Sequence, residues 1–422
     1  MGILLAIFAG IVVHAPLTVW LGTLAPGCEL FIKSWKEILM LLAVPFAVIL
    51  VTKKRLWSEF SRDWLFRLVI AFALLHIVVL VFMWNGVNPT LAGLSIDLRW
   101  LLYFSLVYAL IRIQPSYRSL FVKVGVGGAL VVGIFALLQV TVLPKDILAQ
   151  IGYDKGTTIA PYLTVDENES YVRINSTLRG PNPLGAYAVI VLSILLSYVA
   201  TKKRQISVWL SGVLGVTALV ALWFSYSRSA LLALVTAGIV IGYLTLRKRL
   251  SSVAWIAGLG TLGVIVALTA AMWRTPFVQQ VILHEDPSEG NMVNSNDGHR
   301  ESLETGGKLL LQQPFGAGVG STGSASLYGD HGFIIENQYL FIAHEVGWLG
   351  LLLFVTLFAL VMQRLWMKRQ NWLALGVFAS GIGLAVIGLL LPIWVDDTVA
   401  IIWWGLAALV LGGSNGKKRT SN

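Results

Sequence analysis

The sequence predicts an all-α integral membrane protein of about twelve transmembrane helices. Three observations carry this. The 422 residues are 57% hydrophobic and 12% charged, with a mean hydropathy of +0.78, whereas a soluble domain carries about 25% charged residues. The apolar residues gather in segments near the roughly 20 residues that a bilayer crossing needs. Short basic clusters punctuate those segments in an alternating pattern.

The expected spans lie at about 2–22, 37–52, 64–84, 97–113, 119–143, 183–200, 206–224, 229–246, 252–273, 336–362, 372–391 and 397–412. The first lacks a basic leader and a small-residue cleavage site, so it reads as a retained helix rather than a cleaved signal. Short connections argue for one polytopic domain over 1–422. With the N-terminus inside, every inner loop is basic, and twenty of the 31 Lys and Arg residues fall there. This satisfies the positive-inside rule and puts both termini in the cytoplasm. Among the acids only Glu59 and Asp63 fall on that side. The net charge of +10 is thus explained by topology, and nucleic-acid binding is excluded. Cys28 is the single cysteine, which excludes an intrachain disulfide and a cysteine metal cluster.

Two long outer loops are expected, 144–182 and 274–335, and loops of that length carry function or are disordered. The stretch Arg274–Gly350 is the longest polar interruption and holds four of the six histidines, His284, His299, His331 and His344. Within it, Arg300–Gln312 reads as a short helix for the membrane surface. The run PFGAGVGS from Pro314 lacks the G-K-[ST] of a phosphate loop. It reads as a glycine-rich bend re-entering the membrane.

Three outer-face features stand out. Arg173 and Arg179 precede the Pro-Asn-Pro start of the sixth span at Pro181, with Asn182 inside it. Arg228 opens the eighth span in FSYSRSALLAL. Glu336 and Asn337 open the tenth. All three spans run outside to inside, so their N-termini, with free N–H groups and partial positive charge, point outward. Arginine adds a forked grip suited to phosphate, and a lipid diphosphate would suit such a site. Arg228 also fits an interfacial arginine snorkelling to water, and Arg173 and Arg179 also fit solvated loop charges. Glu336 is the candidate general base, or else a carboxylate that stabilises the helix dipole. His331 is the rival base, or a loop histidine without a role. Glu345 reads as a buried structural acid bonded to neighbouring helices. No carboxylates or histidines cluster at metal-ligand spacing, so no cofactor is expected.

These residues resemble a known family. R-x-x-S-T-x-x-G-P-N-x-x-G (Arg173–Gly185), S-x-S-R-S-A-L-L-A-L (Ser225–Leu234), P-F-G-A-G-V-G (Pro314–Gly320) and E-N-Q-Y-L-x-x-x-H-E-x-G-x-x-G (Glu336–Gly350) occur in that order. The pattern is similar to the O-antigen ligase and polymerase family of bacterial membrane glycosyltransferases. The resemblance covers about 173–350. It implies a GT-C-like enzyme of the bacterial plasma membrane that works without metal at the extracytoplasmic face. Such an enzyme inverts the anomeric carbon as it moves a glycan from undecaprenyl diphosphate to a hydroxyl of an acceptor glycan or glycolipid. In the family, positions matching Arg173 and Arg228 hold the diphosphate, and Arg300 matches a further basic position. The chain departs where ligases acting on lipid A core carry His-Asn and it carries Glu336-Asn337, which favours a polymerase. A transporter or flippase of lipid-linked sugar is the competing class; no repeat relates 1–205 to 206–412. A shape-and-division type polymerase finds no matching motifs.

Arg228→Ala should abolish glycan transfer while leaving the protein inserted in the membrane, as checked by transfer assay and membrane fractionation. Arg228→Lys should restore little, because a point charge replaces a fork.

Overall fold

Eleven apolar helices stand where eleven of the twelve spans are expected. The fold is described from a computed structural model, covering residues 1–165, 168–201, 207–246, 275, 278, 295–329 and 332–413. The helices are α1 (Gly2–Leu24, with a 3₁₀ turn at Ile11–Val13), α2 (Trp35–Lys53), α3 (Trp64–Phe82), α4 (Val87–Ile113) and α5 (Arg118–Thr141). Two short antiparallel strands follow, β1 (Leu163–Val165) and β2 (Asn168–Arg173). Then come α6 (Pro181–Thr201), α7 (Val208–Phe224), α8 (Arg228–Leu246), the polar helix α9 (Ser295–Gln312), α10 (Gln338–Met367), α11 (Trp372–Gly388) and α12 (Asp397–Gly412). Eight of the apolar helices are long enough to span, and α7, α11 and α12 are shorter. The span expected at 252–273 lies outside the described residues.

The fourth span begins ten residues earlier than expected, at Val87 rather than at 97. Hydropathy alone stops at Asp97 and Arg99, but the helix passes through both because each charge meets buried partners. The β-hairpin is a second addition to the all-helical expectation.

Helix α12 is surrounded, and Thr398 through Gly412 are all buried. A helix apolar on every side belongs at the centre of a bundle. Trp403 and Trp404 anchor it: Trp404 stacks on Trp100 at 4.4 Å, and Phe358 and Trp394 pack around the pair. Small residues let neighbours close in, as membrane helices require without a hydrophobic drive between them. A Cβ at Gly405 would lie 2.7 Å from Tyr103, and one at Gly383 would lie 2.8 Å from the Ala233 carbonyl.

Polar contacts mark the two ends of the bundle. At one end Arg364 grips Asp63, the cap of α3, at 2.5 and 3.1 Å. Burial pushes the Asp63 carboxyl up, but Arg364, Tyr108 and the Leu65 amide hold it below the usual range. Nearby, Lys368 donates to the carbonyls of Val410 and Gly413 at the end of α12. At the opposite end, Asn337 caps α10 and donates to the Leu389 carbonyl beyond α11 at 2.8 Å.

The apolar helices also enclose an ion cluster between α1, α2, α4 and α12. Lys36, 3% exposed, lies 2.8 Å from Asp397 and 3.2 Å from Glu37. Arg99 pairs with Asp397 and donates to the Val395 carbonyl. His14 Nδ1 accepts from the Trp35 indole at 2.9 Å, so its Nε2 carries the proton toward Asp397, 3.0 Å away. Each charge is tolerable there only because the others are present.

Helix α10 is broken. Its first segment runs to Glu345; Val346 (φ −126°, ψ 17°) and Gly347 (φ 71°, ψ −173°) then leave helical geometry. An apolar slab offers nothing to hydrogen-bond the freed backbone. The run from Pro314 supplies the partners. Ala317 N donates to His344 O at 2.6 Å, Gly318 N to Glu345 O at 3.1 Å, and Trp348 N to Pro314 O at 2.9 Å. Gly320 N donates to the Glu345 carboxylate at 3.1 Å. On its other side the loop meets Asn85, which donates to Ala317 O and Val319 O. Gly316, Gly318 and Gly320 all have φ between 80° and 99°, a region closed to most side chains.

Two stability tests follow. A Cβ at Gly320 would fall 2.1 Å from the Pro89 carbonyl. Gly320→Ala should therefore destabilise the fold by about 1–3 kcal/mol, seen as a lower thermal midpoint in detergent. Gly127→Ala, with open space at its Cβ, should not lower it. Asp397→Asn should cost about 3–5 kcal/mol, because it strands two buried cations; an unchanged midpoint would show that Glu37 alone suffices for Lys36 and Arg99.

Candidate functional site

The polar residues singled out in the sequence gather in two groups at the Asn337 end of the bundle. The first is built where α6, α7 and α8 meet. The Ile174 amide donates to the Phe224 carbonyl at 3.1 Å, which ties the exit of β2 to the end of α7. Arg173, at the end of β2, donates from Nε to Ser225 O at 3.0 Å and from Nη2 to Asn182 Oδ1 at 2.8 Å. One guanidinium thus joins the start of α6 to the turn that leads to Arg228. Gly185 permits the approach: a Cβ there would lie 2.8 Å from the Ala230 Cβ and 2.9 Å from Ser225 Oγ.

The turn itself is strained. Tyr226 (φ 48°) and, across the junction, Ser176 (φ 49°) are non-glycine residues in the left-handed region. Ser176 is held there by Gln139, which accepts from its amide, and by the Val132 carbonyl, which accepts from its hydroxyl. Thr177 donates to Val12 O at 2.6 Å. The segment after Arg173 is therefore plugged into the bundle between α1 and α5. Arg228 is half-buried as the first residue of α8. The N-termini of α6 and α8 come together with Arg173 and Arg228 beside them.

The second group surrounds Glu336. His299, on α9, places Nδ1 2.5 Å from Glu336 Oε2. Ser302, one turn further, accepts from the Glu336 amide at 2.7 Å. Helix α9 is amphipathic and packs on α10: Trp348 donates to Leu310 O at 2.6 Å, and a Cβ at Gly306 would touch Leu340 and Ile335. Glu336 stays about a third exposed, within reach of a substrate. Either the imidazole or the carboxylate has a lone pair that could take a proton from a hydroxyl. Asn337 is engaged as the cap of α10, accepting from the Tyr339 and Leu340 amides.

The remaining predicted residues go elsewhere. Arg179 is exposed, and its charge bears on Asp396 beside the ion cluster rather than on Arg173. Arg300 points to solvent and pairs with Glu304 at 2.8 Å, one turn along α9. It is the chain neighbour of His299. Glu345 is buried, and its partners are the Gly320 amide and Asp97 rather than Glu336. His331 and His284 lie outside the described residues.

Sequence reading missed His299 as a partner of Glu336, 37 positions away. It also missed the cluster of His14, Lys36, Glu37, Arg99 and Asp397. For the cluster a signal existed, since these are charges inside or at the ends of apolar segments. For His299 none did, because a histidine at a helix start looks the same whichever way it faces.

No curated protein matches the chain. A family model described as O-antigen ligase matches residues 213–355. That stretch contains Arg228, His299, Arg300, Glu336 and the glycine-rich loop with its broken helix; Arg173 and Asn182 lie before it. Over residues 213–355 this all-α membrane protein is therefore similar to the O-antigen ligase family.

Proposed function

We propose that this protein transfers a glycan from a polyprenyl diphosphate to a hydroxyl of a second glycan or glycolipid, at the extracytoplasmic face of a bacterial inner membrane. The observation that carries the reading is the 2.5 Å contact between Glu336 and His299 at the mouth of α10, inside the matched segment. The donor is already activated, because diphosphate is a good leaving group. Charge that develops on it as the glycosidic bond breaks needs fixed cations and N–H groups. Arg173, Arg228 and the paired N-termini of α6 and α8 offer both. In this reading Glu336 takes the proton of the attacking hydroxyl, His299 orients its carboxylate, and attack from the face opposite the diphosphate inverts the anomeric carbon. No step calls for a metal. The carboxylate in place of a histidine supports polymerase over ligase.

Transport of lipid-linked glycan is the second reading. The break in α10 favours it, since transporters bind substrate at interrupted helices. Here, however, the freed backbone is bonded to residues 314–320 of the chain itself.

The deciding experiment supplies purified protein with undecaprenyl-diphosphate oligosaccharide alone. A ladder of repeat units by mass spectrometry would establish a polymerase; transfer only after a second acceptor is added would establish a ligase. Absence of transfer under both conditions would favour transport. Glu336→Gln should lower transfer by about 10²–10⁴-fold and retain donor binding. His299→Ala should cost less and shift the pH profile of the rate. A dead His299→Ala or His331→Ala beside an active Glu336→Gln would move the base to that histidine.

A further inference from the structure

At the end of the bundle away from Glu336 lies a cavity of about 790 Å³, between α1, α5, α6, α7, α11 and α12. Its size falls within the roughly 300–1,000 Å³ of small-molecule sites. The depth is apolar, with Phe8, Ile194, Leu214 and Leu406 on its walls, and Tyr198 and Trp372 pack edge to face at its rim. Arg118 and Lys123, both on α5, are its charged lining residues. Asn182 and Tyr198 are sixteen residues apart on α6, so the rim stands about 24 Å from the arginine group, at 1.5 Å per residue.

Among the described residues the two cations have no acidic partner. Arg118 is half-buried and makes no hydrogen bond or ion pair among the described residues. On this side of the membrane the acids are Glu59 and Asp63. Arg112 takes Glu59, and Arg364 and Tyr108 take Asp63. In the sequence, the stretches 202–206, 247–250 and 414–422 contain Lys and Arg but no Asp or Glu. The surplus of positive charge is felt locally: burial first, then Arg118, Arg112 and Arg364, push the Lys368 amine down to about 8.

We propose that this cavity is a specific site for one anionic glycerophospholipid from the adjacent leaflet. Its phosphate sits between Arg118 and Lys123, and an acyl chain enters the apolar cleft toward Phe8 and Leu406. The chemistry fits in both halves. An arginine beside a lysine at a membrane surface binds phosphate by charge and by forked hydrogen bonds. A narrow apolar cleft opening beside them accepts a hydrocarbon chain and excludes a soluble anion's need for water. The site is distinct from the transfer site and does not rest on the proposed activity.

Native mass spectrometry of the purified protein tests this, after exchange into phosphatidylglycerol or into phosphatidylcholine of the same chain length. One phosphatidylglycerol should survive delipidation on the wild type, and phosphatidylcholine should not. Lys123→Gln, at an exposed position, and Arg118→Gln/Lys123→Gln together should reduce the retained fraction progressively, by tenfold or more for the pair, with an unchanged thermal midpoint without lipid. Inorganic phosphate at millimolar concentration should not displace the lipid. Equal retention of phosphatidylcholine, or undiminished retention by the folded double variant, would overturn the proposal. So would full displacement by phosphate alone.

Discussion

The glycine-rich loop bonded into the break of α10 is the contact on which the rest of the arrangement depends. A membrane helix that loses its internal hydrogen bonds must find others in protein. Residues 314–320 provide them, and they can do so only as backbone, because three glycines with positive φ leave no room for side chains. The consequence reaches outward in both directions. Met83, Asn85, Pro89 and Gly93 are drawn against the loop, which fixes how α3 and α4 stand beside α10. The first segment of α10, from Gln338 to Glu345, is set at its own angle, and with it Glu336 and Asn337 at its mouth. Helix α9 then has a fixed surface on which to dock.

Charge placement follows the same logic of closure. The apolar slab admits Lys36, Arg99 and Asp397 because they neutralise one another, and admits Glu345 because a backbone amide meets it. At the candidate site Arg173 gives hydrogen bonds to Asn182 and Ser225, which aims it, and the N-termini of α6 and α8 stand beside it. The basic end of the bundle is left open instead, with two acids fully engaged and, among the described residues, cations left over.

The candidate site is thus two rigidly supported groups rather than one contiguous cluster. Arg173 and Arg228 are supported by a strained turn and a plugged segment, Glu336 by a docked amphipathic helix. A lipid donor approaching from the membrane and an acceptor approaching from solvent would enter by different routes, and two groups on different supports suit such a reaction.

What the sequence alone determined was whatever depends on composition along the chain. Eleven helices, their basic clusters and the starts of α6, α8 and α10 were legible because a bilayer imposes one rule, length of apolar run, on every segment. The positions of Arg228 and Glu336 were legible as charges at helix starts, and that of Arg173 as a charge ahead of one. Three things were decided only in three dimensions. Helix α4 runs through Asp97 and Arg99 because both meet polar groups on other helices, Arg99 at Asp397 and Asp97 at His76, which a hydropathy window cannot register. Arg179 and Arg300 turn away from the positions their spacing suggested, because side-chain direction depends on which face of a segment packs. His299 meets Glu336 because α9 docks on α10, a contact between distant residues that no local pattern encodes.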